Sequence, residues 1–264
     1  MYQSLSADQY RKHIELPDGY HVDGLLVCGT WDLYAEKYLG HLTSALGALG
    51  IAANIRRLEH PDVGHAYELT IKGKVYWFVP VMGTAVMSPY VHVASLLGSK
   101  KNILVGVVGG LAPGMRTADF VLPTATKGNE NARMYQRDAK NLTFLPDPDL
   151  AESLKRRLPQ DIRVFEGPTI TCEVMLAETE EDVEEWSAAG YLGVEMEAAL
   201  VFAVSYRFKV PAAALLFVAD NLIGGETMLH DDYALSKEVR QKSRLIQYEA
   251  AVAELLDLDR SVEG

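Results

Sequence analysis

Glu195 and Glu197 stand two residues apart in Gly193-Val194-Glu195-Met196-Glu197-Ala198-Ala199, with apolar runs on either side. The segment reads as a strand-to-helix junction, where the helix dipole favours acidic side chains. Capping accounts for one of the two. A second unpaired carboxylate in apolar surroundings costs several kcal/mol in rough terms, so it needs a polar partner. Sugar hydroxyls are suitable partners. Further along, Asp220 ends the most hydrophobic strand of the chain, in Phe217-Val218-Ala219-Asp220-Asn221. Ligands of open α/β sheets collect outside the carboxyl ends of strands. A partly desolvated carboxyl group there has a raised pKa and delivers a proton near neutral pH. The same residue also suits an Asx-turn opening the loop that follows. The glycine cluster from Gly106 to Gly114 lacks the Gly-Lys-Ser/Thr ending of a phosphate-cradling loop and the spaced glycines of a dinucleotide site. By itself it marks a tight turn or a close approach to the backbone after a buried strand.

Taken together, the segment GVEMEAA (193–199), the apolar strand ending in Asp220-Asn221 and the turn Val105-Gly106-Val107-Val108-Gly109-Gly110-Leu111 resemble the nucleoside phosphorylase-I family. That family includes bacterial purine nucleoside phosphorylases, uridine phosphorylases, methylthioadenosine nucleosidases and AMP nucleosidases. The resemblance runs from about His13 to Leu256 and implies a role for each matching residue. Glu197 looks like the glutamate that grips the ribose 2′ and 3′ hydroxyls, and Met196 like the methionine beneath the sugar. Glu195 resembles the glutamate close to base and sugar, and Asp220, with Asn221 beside it, the acid that serves the purine at N7. Met82-Gly83 is similar to the sugar-side methionine-glycine pair, and Met175 stands at the base-stacking position. Gly29 opens the turn after the first strand, and Gly109-Gly110 belong to the second glycine turn. His13 resembles the histidine that some members lend to a neighbouring subunit's ribose. The implied chemistry is dissociative cleavage of an N-glycosidic bond, with positive charge developing on the sugar and electron-rich groups stabilising it.

The chain departs from the phosphorolytic members at their phosphate anchors. Gly29-Thr30-Trp31-Asp32-Leu33 replaces an Asp-Pro-x-Arg turn, and Leu104-Val105-Gly106-Val107 lacks the arginine and serine of the second turn. Leucine and valine cannot replace charge-assisted anchors for a doubly charged ion. Hydrolysis is therefore the favoured reaction, with Asp32 or Glu36 as candidates to orient the water. A phosphorylase with a rebuilt anion site and a catalytically inactive nucleoside-binding member are the alternatives. The stretch YRFKVPAAALLFVADNLIGGE looks most like the AMP nucleosidase branch. If a 5′-phosphate is bound, Lys127, Arg133, Arg137 and Arg116 are candidate cations. Thr169-Ile170-Thr171-Cys172 lacks the glutamine and arginine that read uracil in uridine phosphorylases, so a purine is expected.

Positioning these residues calls for an α/β fold, a central mixed β-sheet flanked by helices, in one domain over residues 1–264. Strands are expected at 24–29, 51–58, 66–71, 74–82, 102–108, 118–124 and 211–219, with a strand pair near 162–174. Helices are expected at 32–49, 85–98, 148–157, 179–189, 195–208 and 232–257. Lys72-Gly73-Lys74 reads as a hairpin turn, and 126–146 as a long polar loop over a site.

The composition limits what else the chain does. Its 264 residues carry a net charge of −11, which argues against a nucleic-acid or anionic-membrane binder. No apolar run approaches the roughly 20 residues of a membrane span, and the first residues lack a signal-peptide core, so the expected location is cytoplasmic. Cys28 and Cys172 read as reduced core thiols. His60 and His65 suggest a metal only superficially, since no third and fourth ligand are suitably spaced. No cofactor is expected beyond phosphate as a co-substrate, whose usual ligands are absent. The expected partners are a small-molecule purine nucleoside or nucleotide and further copies of the chain, as a dimer or hexamer.

Overall fold

The computed structural model describes residues 4–227 and 236–259, apart from the side chain of Asp32. The first half holds α1 (Ala7–His13), β1 (Gly24–Cys28), α2 (Ala35–Ala48), β2 (Asn54–Arg57), β3 (Tyr67–Ile71), β4 (Lys74–Pro80), α3 (Thr84–Leu96), β5 (Asn102–Gly110) and β6 (Phe120–Lys127). The second holds α4 (Glu130–Arg133), β7 (Thr143–Phe144), α5 (Pro148–Arg156), β8 (Val164–Thr171), α6 (Glu180–Ala188), β9 (Gly193–Glu195), α7 (Ala198–Phe208), β10 (Ala212–Asn221) and α8 (Lys237–Leu255).

The described strands form one mixed sheet whose centre is β5. Along one edge β5 runs parallel to β10 from Asn102 to Gly110. Its other edge is shared: β1 pairs in parallel as far as Val105, and β9 pairs antiparallel at Gly109 and Gly110. Pairing continues from β9 to β8, from β8 to β6, and from β6 back to β10, so this part of the sheet closes on itself. A wing of β1, β4, β3 and β2 extends from β5. Between Val105 and Gly109, then, β5 changes partner, and its pairing with β1 ends at Cys28. Such a divergence of strands opens a crevice at their carboxyl ends.

Alternation along β1 shows why helices cover both faces. Leu25 and Val27 point into a core shared with α3 and α7, whereas Leu26 and Cys28 point toward α2 and α8. Every residue of β1 is buried, as an uninterrupted apolar run requires. Gln247, fully buried on α8, fixes that helix to the sheet: its amide donates to the carbonyls of Gly106 on β5 (2.7 Å) and Leu215 on β10 (2.6 Å). The β3–β4 hairpin turns at Lys72 and Gly73 with φ of 49° and 78°, the paired positive values of the expected tight turn.

Four expectations differ from what forms. Residues 126–146 are not one loop, since β6 continues to Lys127 and is followed by α4, a 3-10 turn and β7. Asn129 caps α4 and Phe144 is fully buried, which gives the segment its own anchors. The expected helix from 195 begins at Ala198, because Glu195 belongs to β9. Gly109 and Gly110 are extended strand and not a turn, because β5 is held there from both sides by β9 and β10. The strand pair near 162–174 is the single strand β8, paired with β6 and β9. Residues 232–235 of the expected last helix lie outside the described residues.

Candidate active site

A cavity of about 610 Å³ opens where β1 and β5 part, within the roughly 300–1,000 Å³ usual for small-molecule sites. Its lining includes Gly29, Met82, Gly109, Met175, Glu195, Met196, Glu197 and Asp220, so most of the residues singled out in the sequence converge. Gly83, next to Met82, enters through its backbone and begins α3 with φ 84°, where its N–H donates to Glu197 Oε1 at 2.8 Å. A Cβ on Gly29 would collide with the Glu197 carboxylate, so a glycine is required for the first strand to end this close to it.

The two glutamates are held differently. Glu195 Oε2 accepts the backbone N–H groups of Glu197 and Ala198, each at 2.7 Å, and Oε1 accepts the hydroxyl of Thr171. Thr171 also accepts the N–H of Ala199 at 3.0 Å. Glu195 and Thr171 thus occupy the donors at the start of α7, and Glu195 acts as a strut beneath the site. Glu197, at the N-cap of α7, has no such support beyond Gly83. Burial and the charge of Glu195 push its pKa up, and burial raises that of Glu195 despite its hydrogen bonds. Free ligand hydroxyls would supply the partners Glu197 lacks.

Asp220 is buried at 8% exposure, just after a register shift between Val218 and Asp220 in the β5–β10 pairing. Such irregularities re-aim side chains beside active sites. Asn221 takes no part in the lining: its amide donates to the Met115 carbonyl at 2.9 Å and its oxygen accepts Gly224 N–H, which shapes the next turn. Gly110 is likewise absent from the lining. His13 lies elsewhere, on exposed α1, bonded to Asp62 at 2.6 Å and beside the ring of His60.

The proposed phosphate cations do not reach the cavity. Lys127 donates to the Asn141 carbonyl, Arg133 pairs with Glu130, and Arg137 lines a separate groove of about 780 Å³ along α7. Arg116 is also outside the lining. Glu36 accepts the Tyr67 hydroxyl and does not line the cavity, and the side chain of Asp32 is outside the described residues. Thr30 and Val107, from the two turns that carry the phosphate ligands of phosphorolytic members, do line the cavity. Among the described residues no His, Cys, Asp and Glu group is arranged to hold a metal, and no helix is long and apolar enough to cross a membrane.

Several lining residues were not anticipated. Glu178 is half-buried near Asp220, and burial together with the Asp220 charge raises its pKa. Trp31, Tyr34, Lys37, Tyr38 and His41 enter from α2 and the turn before it, and Lys237, Arg240, Gln241 and Arg244 from α8. The signal for both sets was their i, i+3, i+4, i+7 spacing, which puts four side chains on one helix face. Nothing in the sequence alone said that the two faces meet.

Comparison with known proteins agrees with this geometry. Residues 35–253 match the family model described as the phosphorylase superfamily. The chain is 29% identical to a DeoD-type purine nucleoside phosphorylase of Clostridium beijerinckii over 235 residues, covering 85% of this chain and 92% of the relative. It is 31% identical to a guanosine phosphorylase of Halorubrum lacusprofundi over 133 residues, covering 50% of this chain and 54% of that one. The structure of a uridine phosphorylase from Vibrio fischeri superposes with a TM-score of 0.74 at 16% identity, covering 97% of this chain and 99% of the other. With its closed strand ring, its buried glutamate at the start of α7 and its carboxylate at the end of β10, this chain belongs to the phosphorylase superfamily, as a member of the nucleoside phosphorylase-I family.

Proposed function

We propose that the chain cleaves the N-glycosidic bond of a purine nucleoside or nucleotide and releases the free base. The convergence of Glu197 and Asp220 on one cavity supports this reading. Glu197 grips the ribose hydroxyls, Met82 and Met196 pack on the sugar, and Met175 stacks on the base. Asp220 donates to the leaving purine. The bond from C1′ to the base nitrogen breaks, its electron pair goes to the base, and the proton from Asp220 neutralises it. Water then bonds to C1′, and a proton lost from that water balances the one given to the base. Leu104, Val107 and the turn after Gly29, which lack the arginines and the serine that would hold phosphate, favour water as the attacking group.

Phosphorolysis is the second reading. The curated relatives named above are phosphorylases, and the cavity carries cations of its own on α2 and α8. Base release from inosine, adenosine and AMP, with and without phosphate, separates the two. Release in phosphate-free buffer is expected. A strict phosphate requirement with formation of ribose 1-phosphate would overturn hydrolysis. Asp220→Asn is expected to lower turnover about 100-fold or more while KM changes little, as for loss of a general acid. Full activity in that variant would refute the assignment.

A further inference from the structure

One wall of the cavity is left unused by glycosidic cleavage. Lys37, Tyr38 and His41 of α2 face it from one side, and Lys237, Arg240 and Arg244 of α8 from the other. The two helices pack against each other, and Gln247, three residues beyond Arg244, locks α8 to β5 and β10. Arg244 is half-buried, with its guanidinium 4.6 Å from the centre of the Tyr38 ring and 5.4 Å from that of Phe217. Aromatic contacts of this kind fix the plane of a guanidinium while leaving its N–H edge for a ligand. Among the described residues neither Lys37 nor Arg244 forms an ion pair, in a chain whose net charge is −11.

Other groups report on the same spot. His41 Nε2 is buried without a hydrogen-bond partner. Burial, then the charges of Arg244 and Lys37, lower its pKa to about 4, so the ring is neutral at pH 7 and has one N–H to give. The Cys28 thiol, buried behind Gly29, feels both the Arg244 guanidinium and the Glu197 carboxylate. Arg244 and the group assigned to the sugar thus both lie near Cys28. Two cations crowd a neutral imidazole, and no ion pair among the described residues holds either of them, so an anion seated between them would relieve their mutual repulsion.

We propose that this wall is an oxyanion subsite, in which Arg244 and Lys37 bind a phosphate-class group and His41 contributes a hydrogen bond. The assignment rests on the reading of the cavity as a nucleoside site. It differs from the positions where the family resemblance puts phosphate, because its cations come from helices α2 and α8 and not from the turns after β1 and within β5. Inorganic phosphate and the 5′-phosphate of a nucleotide share this chemistry.

Calorimetric titration of the full chain with inorganic phosphate, adenosine and AMP tests the subsite without relying on turnover. Phosphate, or AMP in preference to adenosine, should bind, and Arg244→Gln should weaken that ligand about 10- to 100-fold, the range of a lost charge-assisted hydrogen bond. Lys37→Gln, at an exposed position, should weaken it severalfold. Arg244→Lys should recover part of the affinity. Adenosine binding should be nearly unchanged, and the surface control Arg156→Gln should behave as the parent. Tighter binding of free phosphate identifies a co-substrate site, whereas a preference for AMP over adenosine identifies a 5′-phosphate site. If neither phosphate nor AMP responds to both Arg244→Gln and Lys37→Gln, the subsite is overturned even where purine release persists. Anion binding that depends on Arg244 in a chain that releases no purine overturns the glycosidic reading and leaves the subsite standing.

Discussion

Glu195 and Glu197 are chemically the same residue in two different settings. Glu195 accepts two N–H groups and a hydroxyl, which lets a buried carboxylate act as part of the frame. Glu197 has one N–H and a charged neighbour, so its pKa rises from the ordinary 4.5. The folded state then binds a proton more tightly than the unfolded chain does. Stability from this group is present at low pH and is lost as pH rises from about 4.5 through the raised folded value. Glu197→Gln is therefore expected to stabilise the ligand-free protein on the alkaline side and abolish base release. Thermal unfolding between pH 5 and pH 9 measures this, and each kcal/mol relieved raises Tm by roughly 2–4 °C. A variant less stable than the parent at pH 9 would contradict the account. Which of the two glutamates is frame and which is free was not legible in the sequence. That distinction depends on Thr171 and Gly83, residues from β8 and the start of α3.

Strands and helices were read largely correctly, because apolar runs and helical spacing are local. The exceptions have local reasons too. The segment 126–146 is polar, yet Asn129 and Phe144 give it a cap and an anchor that polarity hides. Gly109 and Gly110 suggest a turn, but neighbours on both edges hold them extended. Gln247 on α8 is the element-scale feature with the clearest consequence. Replacing it with leucine removes two hydrogen bonds to sheet carbonyls and is expected to cost about 1–3 kcal/mol in urea denaturation. It should also weaken phosphate-class binding, since Arg244 sits one turn earlier on the same helix. Unchanged stability would mean that water satisfies those carbonyls equally well.

At the scale of the molecule, the cavity lies where β5 exchanges β1 for β9, so no single element contains the site. His13 is outside the cavity of its own chain, on exposed α1. If it serves a neighbouring copy, sedimentation should give a mass of at least twice 29.1 kDa. Mixed assemblies of His13→Ala with Asp220→Asn should then recover activity that neither variant has alone. A monomer with full activity after His13→Ala would remove that role.

The sequence by itself determined the family and the alternation of strands and helices, and it pointed to Glu197 and Asp220, which line one cavity. All of these are carried by short contiguous motifs and by side-chain periodicity. It pointed to Lys127, Arg133, Arg137 and Arg116 as cations, and none of them reaches the cavity. Only the tertiary structure decided that Lys37 and Arg244 stand there instead. Two helices roughly 200 residues apart in the chain are brought together by the sheet they both cover, and the packing that joins them leaves no trace in local spacing.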